Sequence, residues 1–463
     1  MIRLFNRYWA LPAVVSLVVE GLLLLAAVPL AIQLRLGVGP GTLPPGSTVL
    51  LDAWTFMIVG LLCLYGNSLY DFGERLSSRE LLIRLLRAFS VLAVASWALY
   101  FVVPVVQTGR GVFALALAFG MSFVLAWRVV LRWILRSEGF AERVLVVGAD
   151  KKAIDIARET LARKHLGYRV VGFLDDDPAL QGVSILNPRV IGTTAQACEL
   201  ALQHGVTRVV VAAIDYRGRL SMDALLSCKT HGIRVQEGSS YYEQLTGKIM
   251  IEGLRKSWLI FSDGFVVSRG TLFAKRLLDV LVAAAGLIVA LPLMLLVALA
   301  VRLDSPGPVF FRQERVGRGG RQLTVWKFRS MRTDAEAGGA RWAVEGDPRI
   351  TRVGRFIRKT RLDELPQLWN VLVGDMSLVG PRPERQMFVD QLKEQCPWYE
   401  QRLVVRPGLT GWAQVKAPYA STFEESIEKL KFDLYYIKNL SLFLDISILL
   451  STARIVLLGR GAR

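Results

Sequence analysis

The sequence predicts a membrane protein in three parts. A bundle of four transmembrane helices occupies 1–136, a Rossmann-like α/β domain occupies 137–270, and a second α/β domain at 271–463 lies on the membrane surface and contains a re-entrant helix at 275–302. Three observations predict this fold class. Of the 463 residues, 52% are hydrophobic, and the mean hydropathy of +0.38 is high for a soluble protein. Long apolar runs crowd the N-terminal part, and short β-rich runs alternate with helical patterns after them.

The apolar runs of the N-terminal part are each long enough to cross a bilayer as a helix. They lie at about 10–33, 49–69, 81–104 and 112–134. Arginines cluster between the second and third runs and after the fourth, whereas the other two loops carry only Arg35 and Arg110. Both ends of the bundle are therefore predicted to face the cytoplasm. The first run could also be a signal peptide, because Arg3 and Arg7 precede it, but no clear cleavage site follows it.

The charge and the cysteine and histidine content exclude several classes of protein. The net charge of +18 comes from arginines that crowd the ends of apolar runs, so anionic lipid and nucleotide-sugar phosphates are better partners than nucleic acid. The four cysteines are too scattered for a disulfide framework or a zinc site. All three histidines fall between 165 and 231, which excludes a Ser-His-Asp triad or a His-ligated metal in the C-terminal half.

The segment from Arg143 to about Val267 alternates β-rich runs with helical patterns, which is typical of a parallel sheet. Its first strand ends at Gly148, but the later glycines that let a backbone approach a pyrophosphate are missing. A regulatory, oligomerising or scaffolding role is therefore favoured over tight nucleotide binding. The run Asp175-Asp176-Asp177-Pro178 resembles a metal site, but a solvated acidic turn is the better interpretation.

A fifth apolar run follows Lys275, Arg276 and Asp279 and continues to Val301. Cations precede it and follow it, so both of its flanks carry the cytoplasmic signature. Pro292 lies inside the run, where it removes a helix hydrogen bond. We therefore predict a re-entrant helix-break-helix that enters one leaflet and returns. The alternative is a straight, kinked transmembrane span, since proline is tolerated in such helices.

Two adjacent carboxylates, Asp363 and Glu364, are predicted at the start of a helix, with Pro366 in its first turn and Arg361 and Arg382 on either side in sequence. A helix N-terminus and arginines would let an anionic diphosphate lie beside a carboxylate. One carboxylate could then attack phosphorus while the other holds a divalent cation. The alternative is an acid pair that caps the helix and is neutralised by its neighbours.

Residues 271–463 resemble the bacterial sugar transferases, that is, the polyprenyl-phosphate hexose-1-phosphate transferases or monotopic phosphoglycosyl transferases. The resemblance rests on ordered motifs: Lys275-Arg276-Leu-Leu-Asp279, Ser305-Pro-Gly-Pro-Val-Phe310, Gln313-Glu-Arg-Val-Gly317, Trp326-Lys-Phe-Arg-Ser-Met331, Arg361-Leu-Asp-Glu-Leu-Pro-Gln367, Asn370 to Glu384 with its Gly-Pro-Arg-Pro-Glu end, and Arg406-Pro-Gly-Leu-Thr-Gly-Trp-Ala-Gln-Val415. The apolar runs and the Rossmann-like domain resemble, more weakly, the N-terminal half of the long family members that start exopolysaccharide or O-antigen units.

The resemblance implies a two-step reaction in a catalytic C-terminal domain. Asp363 would attack the β-phosphorus of a UDP-sugar and expel UMP, and polyprenyl phosphate would then take the sugar phosphate. Glu364 would help to hold Mg²⁺ against the diphosphate. Arg382 would bind phosphate through its planar fork. The other predicted site residues are phosphate ligands (Lys327, Arg329, Arg361) and lipid or membrane contacts (Lys275, Arg276, Pro292), with plain membrane-edge anchoring as the alternative for Lys275 and Arg276.

The implied partners are a UDP-sugar, polyprenyl phosphate and the lipid bilayer of the bacterial inner membrane, with the catalytic domain on the cytoplasmic face and no nucleic acid. A homodimer through the central domain is compatible with the sequence, although no heptad pattern supports it. A membrane-bound nucleotide-sugar dehydratase or epimerase is an alternative, but it needs a Tyr-x-x-x-Lys pair, and Tyr241 and Tyr242 precede Leu245 and Thr246 at that spacing. A non-catalytic membrane scaffold is a further alternative, and the intact acid pair argues against it.

Overall fold

The computed structural model describes residues 2–4, 7–37, 48–72, 76–102, 109–137, 141–212, 221–254, 260, 262, 264–335, 347–417 and 422–457. Beyond residue 7 the chain divides into two compact units, Tyr8–Thr246 and Gly247–Arg463. The apolar N-terminal helices and the Rossmann-like domain therefore share the first unit. The predicted domain boundaries at 136 and 270 stay predictions.

Long apolar helices form the N-terminal part of the first unit, as the sequence predicts. They follow two short paired strands, β1 (Ile2–Leu4) and β2 (Arg7–Trp9), and are α1 (Leu11–Leu36), α2 (Val49–Gly66), α3 (Ser78–Val102) and α4 (Arg110–Arg136). Helix α1 packs on α2 and α4, and α3 packs on the same two helices, around a core that includes Leu24, Phe56 and Leu85. Each helix is long and apolar enough to cross a membrane. Leu62 and Val94 are 53% and 67% exposed on the outside of these helices, where hydrocarbon would cover them.

A buried ion pair joins α1 to α4. Arg128 Nε lies 2.6 Å from Glu20 Oε1, and the Tyr70 hydroxyl donates to Glu20 Oε2 at 2.7 Å. Arg128 also donates to the carbonyl of Leu69 at 2.7 Å. The charge of Arg128 is thus neutralised inside the unit, because a buried charge is stable only when it is paired.

The Rossmann-like domain contains a five-stranded parallel sheet in the order β5-β4-β3-β6-β7. Its strands are β3 (Glu142–Val147), β4 (Tyr168–Leu174), β5 (Val190–Gly192), β6 (Arg208–Val211) and β7 (Arg234–Glu237). The helices that connect or follow them are Lys151–Ala162, Ala197–Gln203, Met222–Thr230 and Gly238–Thr246. Strand β3 is buried along Val144–Val147 because helices cover both faces of such a sheet. The predicted parallel α/β domain is confirmed.

The acidic turn after β4 holds neighbouring loops. Asp175 Oδ2 accepts a hydrogen bond from the Ala149 amide at 2.8 Å, and the Asp176 carboxylate accepts from both the amide and the hydroxyl of Thr194, at 2.7 Å each. Because both carboxylates are used in this way, the run is better interpreted as an acidic turn than as a metal site. The Ala149 amide, which follows Gly148 where a pyrophosphate would lie, is already satisfied.

The second unit contains the long helix Arg269–Asp304 and an α/β body. The strands of the body are the antiparallel hairpin β8 (Phe310–Val316) and β9 (Gln322–Phe328) and the parallel pair β10 (Ser377–Val379) and β11 (Gly408–Thr410). Its helices are Arg352–Lys359, Gln367–Val373, Gln386–Gln395, Trp412–Lys416, Phe423–Lys438 and Leu442–Leu457, with 3-10 turns at Arg318–Gly320, Leu362–Glu364 and Tyr399–Val404.

The long helix packs on this body near both of its ends. Asp279 Oδ1 accepts hydrogen bonds from the Ser377 hydroxyl at 3.1 Å and the Leu378 amide at 2.9 Å. At the other end, Val297 and Val301 pack with the body in one buried cluster. The helix is continuous through Pro292, so the chain does not leave the helical conformation there, in contrast to the predicted break. A proline can bend a helix without ending it, because only the hydrogen bond of its own nitrogen is lost.

Candidate active site

The predicted acid pair lies in a tight turn ahead of a short helix. Helix Arg352–Lys359 ends, and Arg361 then adopts a left-handed conformation with φ of 60°, which is rare for a residue with a side chain. The 3-10 turn Leu362–Glu364 follows, and helix Gln367–Val373 begins beyond it. The sequence interpretation placed both carboxylates at the helix start. Both carboxylates precede the helix, so nearby side-chain cations, rather than the helix N-terminus, favour their ionised forms.

Asn370, in the helix that follows this turn, joins that helix to the hairpin. Its side chain accepts a hydrogen bond from the Trp326 amide at 3.1 Å and donates to the Thr324 carbonyl at 2.7 Å. These two bonds replace ladder bonds on the free side of β9, where backbone groups would otherwise stay unpaired. They hold β9, and with it Lys327, beside Glu364.

Three cations surround one oxygen of Glu364. Its Oε1 lies 2.7 Å from Arg382 Nη2, 3.2 Å from Lys327 Nζ and 3.9 Å from Arg361 Nη1. Burial opposes ionisation of this carboxyl, but Arg382, Lys327 and Arg361 outweigh it and hold its pKa well below the usual range. The structure therefore brings together Glu364 and three of the four predicted phosphate ligands.

Asp363 has a different environment from its neighbour. The residue is 8% exposed, and its Oδ1 is buried without a hydrogen-bond partner among the described residues. Burial and the adjacent Glu364 charge raise the pKa of Asp363 to about 6, although Lys327, Arg358 and Arg361 oppose the shift. The pair thus contains one carboxylate that is firmly ionised and one that is poorly solvated. Such a division is a common sign of two chemical roles.

The acid pair lines a cavity of about 530 Å³ that carries an excess of positive charge. Among the described residues, its charged lining consists of Arg315, Lys327, Arg329, Arg332, Arg358, Arg361, Arg382, Arg385, Arg402, Lys429, Asp363, Glu364, Glu384 and Asp433. Ten of these side chains are basic and four are acidic. This cavity is therefore suited to a ligand with several negative charges, and its volume suits a small organic molecule.

Two arginines that the sequence interpretation missed hydrogen-bond to the backbone of the turn that carries Arg382. Arg402 Nη2 donates to the Arg382 carbonyl at 2.8 Å and lies 2.9 Å from Asp433 Oδ2. From the other side, Arg315 Nη1 donates to the Pro383 carbonyl at 2.6 Å. Asp433 is a lone acid beside the apolar run Leu434–Ile437, and this pattern could have indicated a buried partner. Nothing in the sequence indicates that the partner is Arg402.

Arg329 does not join the cations around Glu364. The residue is 5% exposed, and its guanidinium donates to the carbonyls of Ser305 at 2.6 Å and Pro306 at 2.7 Å, at the end of the long helix. Gly307, with φ of 122°, leaves the room for this contact, since a Cβ there would lie 2.0 Å from Arg329 Nη1. In this structure Arg329 therefore fixes the exit of the long helix; it also lines the active-site cavity, and its role as a phosphate ligand stays a prediction.

The predicted lipid contacts Lys275 and Arg276 also have partners inside the protein. Lys275 Nζ lies 2.7 Å from Asp445 Oδ2 and donates to the Val379 carbonyl at 2.9 Å. Arg276 donates to the carbonyls of Val371 and Leu372, at 2.7 and 2.8 Å, and so caps the helix that follows the acid pair. Both side chains position the body against the long helix, and their predicted contact with lipid phosphate or the membrane edge stays a prediction.

Comparison with known proteins places this site in a family. The family model for bacterial sugar transferases matches residues 270–459, and a model described as a CoA-binding domain matches residues 69–214. The chain is 34% identical over 366 residues to UDP-glucose:undecaprenyl-phosphate glucose-1-phosphate transferase of Xanthomonas campestris pv. campestris, and the match covers 75% of this chain and 74% of that protein. The chain belongs to the bacterial sugar transferases.

Two other relatives extend the comparison. Undecaprenyl-phosphate glucose phosphotransferase of Komagataeibacter xylinus is 30% identical over 461 residues, which cover 90% of this chain and 85% of that protein. UDP-N-acetylgalactosamine-undecaprenyl-phosphate N-acetylgalactosaminephosphotransferase of Aeromonas hydrophila is 46% identical over 239 residues, which cover 52% of this chain and 56% of that protein. The chain thus spans little more than half the length of the Aeromonas relative. The predicted family and the predicted class of enzyme, a transferase, are confirmed.

Proposed function

We propose that this bacterial sugar transferase moves a sugar 1-phosphate from a UDP-sugar to undecaprenyl phosphate, and that Asp363 carries the sugar phosphate as a covalent intermediate. The products are UMP and an undecaprenyl-diphosphate sugar, which would start an exopolysaccharide or O-antigen unit. The relatives named above support the overall reaction. The observation that carries the covalent step is the poorly solvated carboxylate of Asp363 in a cation-rich cavity.

In the first step, an oxygen of Asp363 attacks the β-phosphorus of the UDP-sugar. The bond from that phosphorus to the bridging oxygen breaks, and UMP leaves with the electron pair. A carboxylate that has lost its water is a stronger nucleophile, and a pKa of about 6 still leaves Asp363 ionised near neutral pH. In the second step, an oxygen of undecaprenyl phosphate attacks the same phosphorus, and the Asp363 carboxylate is released.

Glu364 fits a different role from Asp363. Its charge holds Lys327 and Arg382 in place, where they can bind the diphosphate oxygens. We propose that Glu364 also holds Mg²⁺, and that substrate phosphates complete the site, since Mg²⁺ usually takes only one or two carboxylates from a protein. The described residues contain no group of three or more His, Cys, Asp or Glu that would form a metal site alone. Bound Mg²⁺ would neutralise charge on the diphosphate.

We also propose that the long helix enters and leaves one leaflet of the inner membrane, with the catalytic body on the cytoplasmic face. Asp279 and Val301, which contact the same body, are 22 residues apart in one helix. A straight helix of that length would rise about 33 Å, enough to cross the hydrocarbon layer of about 30 Å, so a return to the same leaflet requires the helix to bend, as Pro292 allows. A helix that crossed the bilayer would place its two ends in water on opposite sides of the membrane, so one body could not contact both ends of the helix. The outer side of the helix is apolar, with Ile288 74% and Val289 80% exposed.

The test is a measurement of UMP release by the purified full chain from UDP-glucose, UDP-galactose and their N-acetylamino derivatives. Without lipid acceptor, we expect a burst of UMP that equals the enzyme concentration, together with a mass increase of one sugar phosphate. Undecaprenyl phosphate should remove the added mass and allow turnover. Asp363→Asn should show no burst, whereas Asp390→Asn, an exposed acid outside the cavity, should match the wild type.

A burst of normal size in Asp363→Asn would refute the covalent role of Asp363. Folded wild-type protein that releases no UMP from any of these donors would refute the proposed reaction. An Mg²⁺ titration in the presence of chelator tests the metal proposal separately. Glu364→Gln should raise the Mg²⁺ concentration that is needed for half-maximal release.

A further inference from the structure

Two of the four cysteines meet in the Rossmann-like domain, although they lie 30 residues apart in sequence. Cys198 belongs to helix Ala197–Gln203 and Cys228 to helix Met222–Thr230, and these helices pack against each other on one face of the parallel sheet. Both thiols are free, and the Cys228 side chain is hydrogen-bonded to that of Cys198. The fold therefore brings together two thiols that the sequence interpretation treated as scattered. We call them the thiol pair.

The two members of the thiol pair differ in their access to solvent. Cys228 is 0% exposed and lies in a core cluster with Leu145 and Val209 of the sheet. Cys198 is half-buried. A small reagent in solution can therefore reach the Cys198 sulfur directly, whereas the protein covers the Cys228 sulfur.

Two hydrogen-bond donors lie beside the Cys198 sulfur. The Ser227 hydroxyl donates to Cys198 Sγ at 3.3 Å, and His231 Nδ1 lies 3.8 Å from the same sulfur. His231 Nδ1 is also 2.8 Å from the Ser227 carbonyl oxygen, which can only accept, so this nitrogen carries a hydrogen. Both groups therefore offer a hydrogen to the sulfur, and such donors stabilise the negative charge of a thiolate.

The thiol of Cys228 is held in its protonated form. Burial raises the pKa of this thiol to about 11, and the neighbouring Cys198 adds to the shift. Thiols that react with oxidants are partly exposed and often lie next to a second cysteine that resolves the oxidised form. Cys198 thus has the features of the attacking thiol, and Cys228 has those of the resolving thiol.

We propose that the thiol pair is a redox-sensitive site, in which a peroxide oxidises Cys198 and Cys228 then closes a reversible disulfide. In the first step, the Cys198 sulfur attacks one oxygen of hydrogen peroxide and the O–O bond breaks. The second oxygen leaves as hydroxide and takes up a proton to become water, and the sulfur, which has lost two electrons, becomes a sulfenic acid. In the second step, the Cys228 sulfur attacks the oxidised sulfur, the S–O bond breaks, and the thiol proton leaves with the hydroxide as water.

The disulfide would join the two helices that cover this face of the sheet. A reducing compartment keeps thiols reduced, so the cross-link would form when a peroxide is present and would be removed by a dithiol. This inference goes beyond the proposed function. It depends neither on the proposed reaction nor on the proposed orientation in the membrane.

The experiment exposes the reduced, purified full chain to hydrogen peroxide, alkylates the remaining thiols after denaturation, and identifies cross-linked peptides by mass spectrometry. We expect a cross-link that joins Cys198 to Cys228 within one chain. Cys63 and Cys396, which are buried in other parts of the chain, should be recovered in alkylated form. Dithiothreitol should restore both thiols of the pair. Hydrogen exchange of the amides in 197–203 and 222–230 should be slower in the oxidised protein.

Variants separate the roles of the two cysteines. Cys228→Ser should stop at the sulfenic acid of Cys198, which dimedone traps, and Cys198→Ser should leave Cys228 reduced. Ser227→Ala should slow the oxidation of Cys198 about fivefold, which is the effect of one lost hydrogen bond. Cys396→Ser is the matched control and should form the same cross-link at the wild-type rate.

Folded wild-type protein that forms no cross-link between Cys198 and Cys228 would overturn the proposal. A disulfide between two chains, seen as a dimer on a non-reducing gel, would also overturn it, as would oxidation of Cys228 at the wild-type rate in Cys198→Ser. Equal rates of Cys198 oxidation in the folded chain and in urea would refute the activation of this thiol by its neighbours. The measurements on wild-type protein decide the question if a variant does not fold.

Discussion

Replacing Asp363 by asparagine is expected to abolish covalent transfer and to stabilise the fold. Burial and the Glu364 charge raise the pKa of this carboxyl from 3.8 to about 6. Below pH 3.8 it is protonated in the folded and unfolded chains alike, and no free energy is lost. As the pH rises past 6, ionisation in the folded state costs stability of about 3 kcal/mol, from about 2.2 pH units at about 1.36 kcal/mol each. An asparagine side chain cannot ionise, so the variant should gain that amount at pH 8 and about half of it at pH 5.

The assay is unfolding of the purified full chain in detergent, monitored by tryptophan fluorescence at pH 8 and pH 5. For a unit of this size, about 3 kcal/mol corresponds to an increase in Tm of about 6 to 12 °C. Glu364→Gln is the matched control, because ion pairs lower the pKa of Glu364 and its charge therefore stabilises the fold above its unfolded pKa. Its Tm should fall at pH 8 and approach the wild-type value in acid. Tm shifts of the same sign in both variants would refute the opposite pKa shifts assigned to the two carboxyls. An increase in Tm of Asp363→Asn that is the same at pH 8 and pH 5 would refute them as well.

Three further predictions concern the same unit. The rate of the UMP burst should fall about tenfold per pH unit below the Asp363 pKa of about 6. Lys327→Met should move this fall to higher pH, because the ammonium of Lys327 favours the ionised form of Asp363. A pH profile that does not move in the Lys327 variant would contradict this prediction. Arg402→Gln should destabilise the fold by about 3 to 5 kcal/mol, because the buried Asp433 loses its partner. The double variant Arg402→Met, Asp433→Leu should recover stability but keep a raised KM for the UDP-sugar, and a normal KM would exclude a positioning role. Arg329→Met should lower the unfolding free energy by about 2 to 4 kcal/mol, because the hydrogen bonds to the Ser305 and Pro306 carbonyls are lost. The KM for the UDP-sugar should stay unchanged in the folded fraction. A raised KM would support the predicted role of Arg329 as a phosphate ligand.

The repetitive parts of the fold follow directly from the sequence. Apolar runs of about twenty residues specify α1 to α4, because hydrocarbon accepts little else over that length. Alternation of β-rich and helical patterns specifies the parallel sheet, since parallel strands need a crossover connection. The motif around Asp363 indicates the acid pair and the family because its residues are close in sequence. These features depend on neighbours along the chain.

The roles of single cations depended on the tertiary structure. Arg382 is 18 residues from Glu364 in sequence and Lys327 is 37 residues from it, yet both cations contact the same oxygen of Glu364. Arg329 is two residues from Lys327, but its side chain points to the end of the long helix. Residues two apart in a strand lie on the same face, but β9 ends at Phe328, so the strand does not fix the direction of Arg329, and charge and spacing alone do not give it. The sequence by itself determined the elements and the acid pair, whereas only the packing of distant segments decided which cations bind that pair, which ones cap helices, and how far each carboxylate is removed from water.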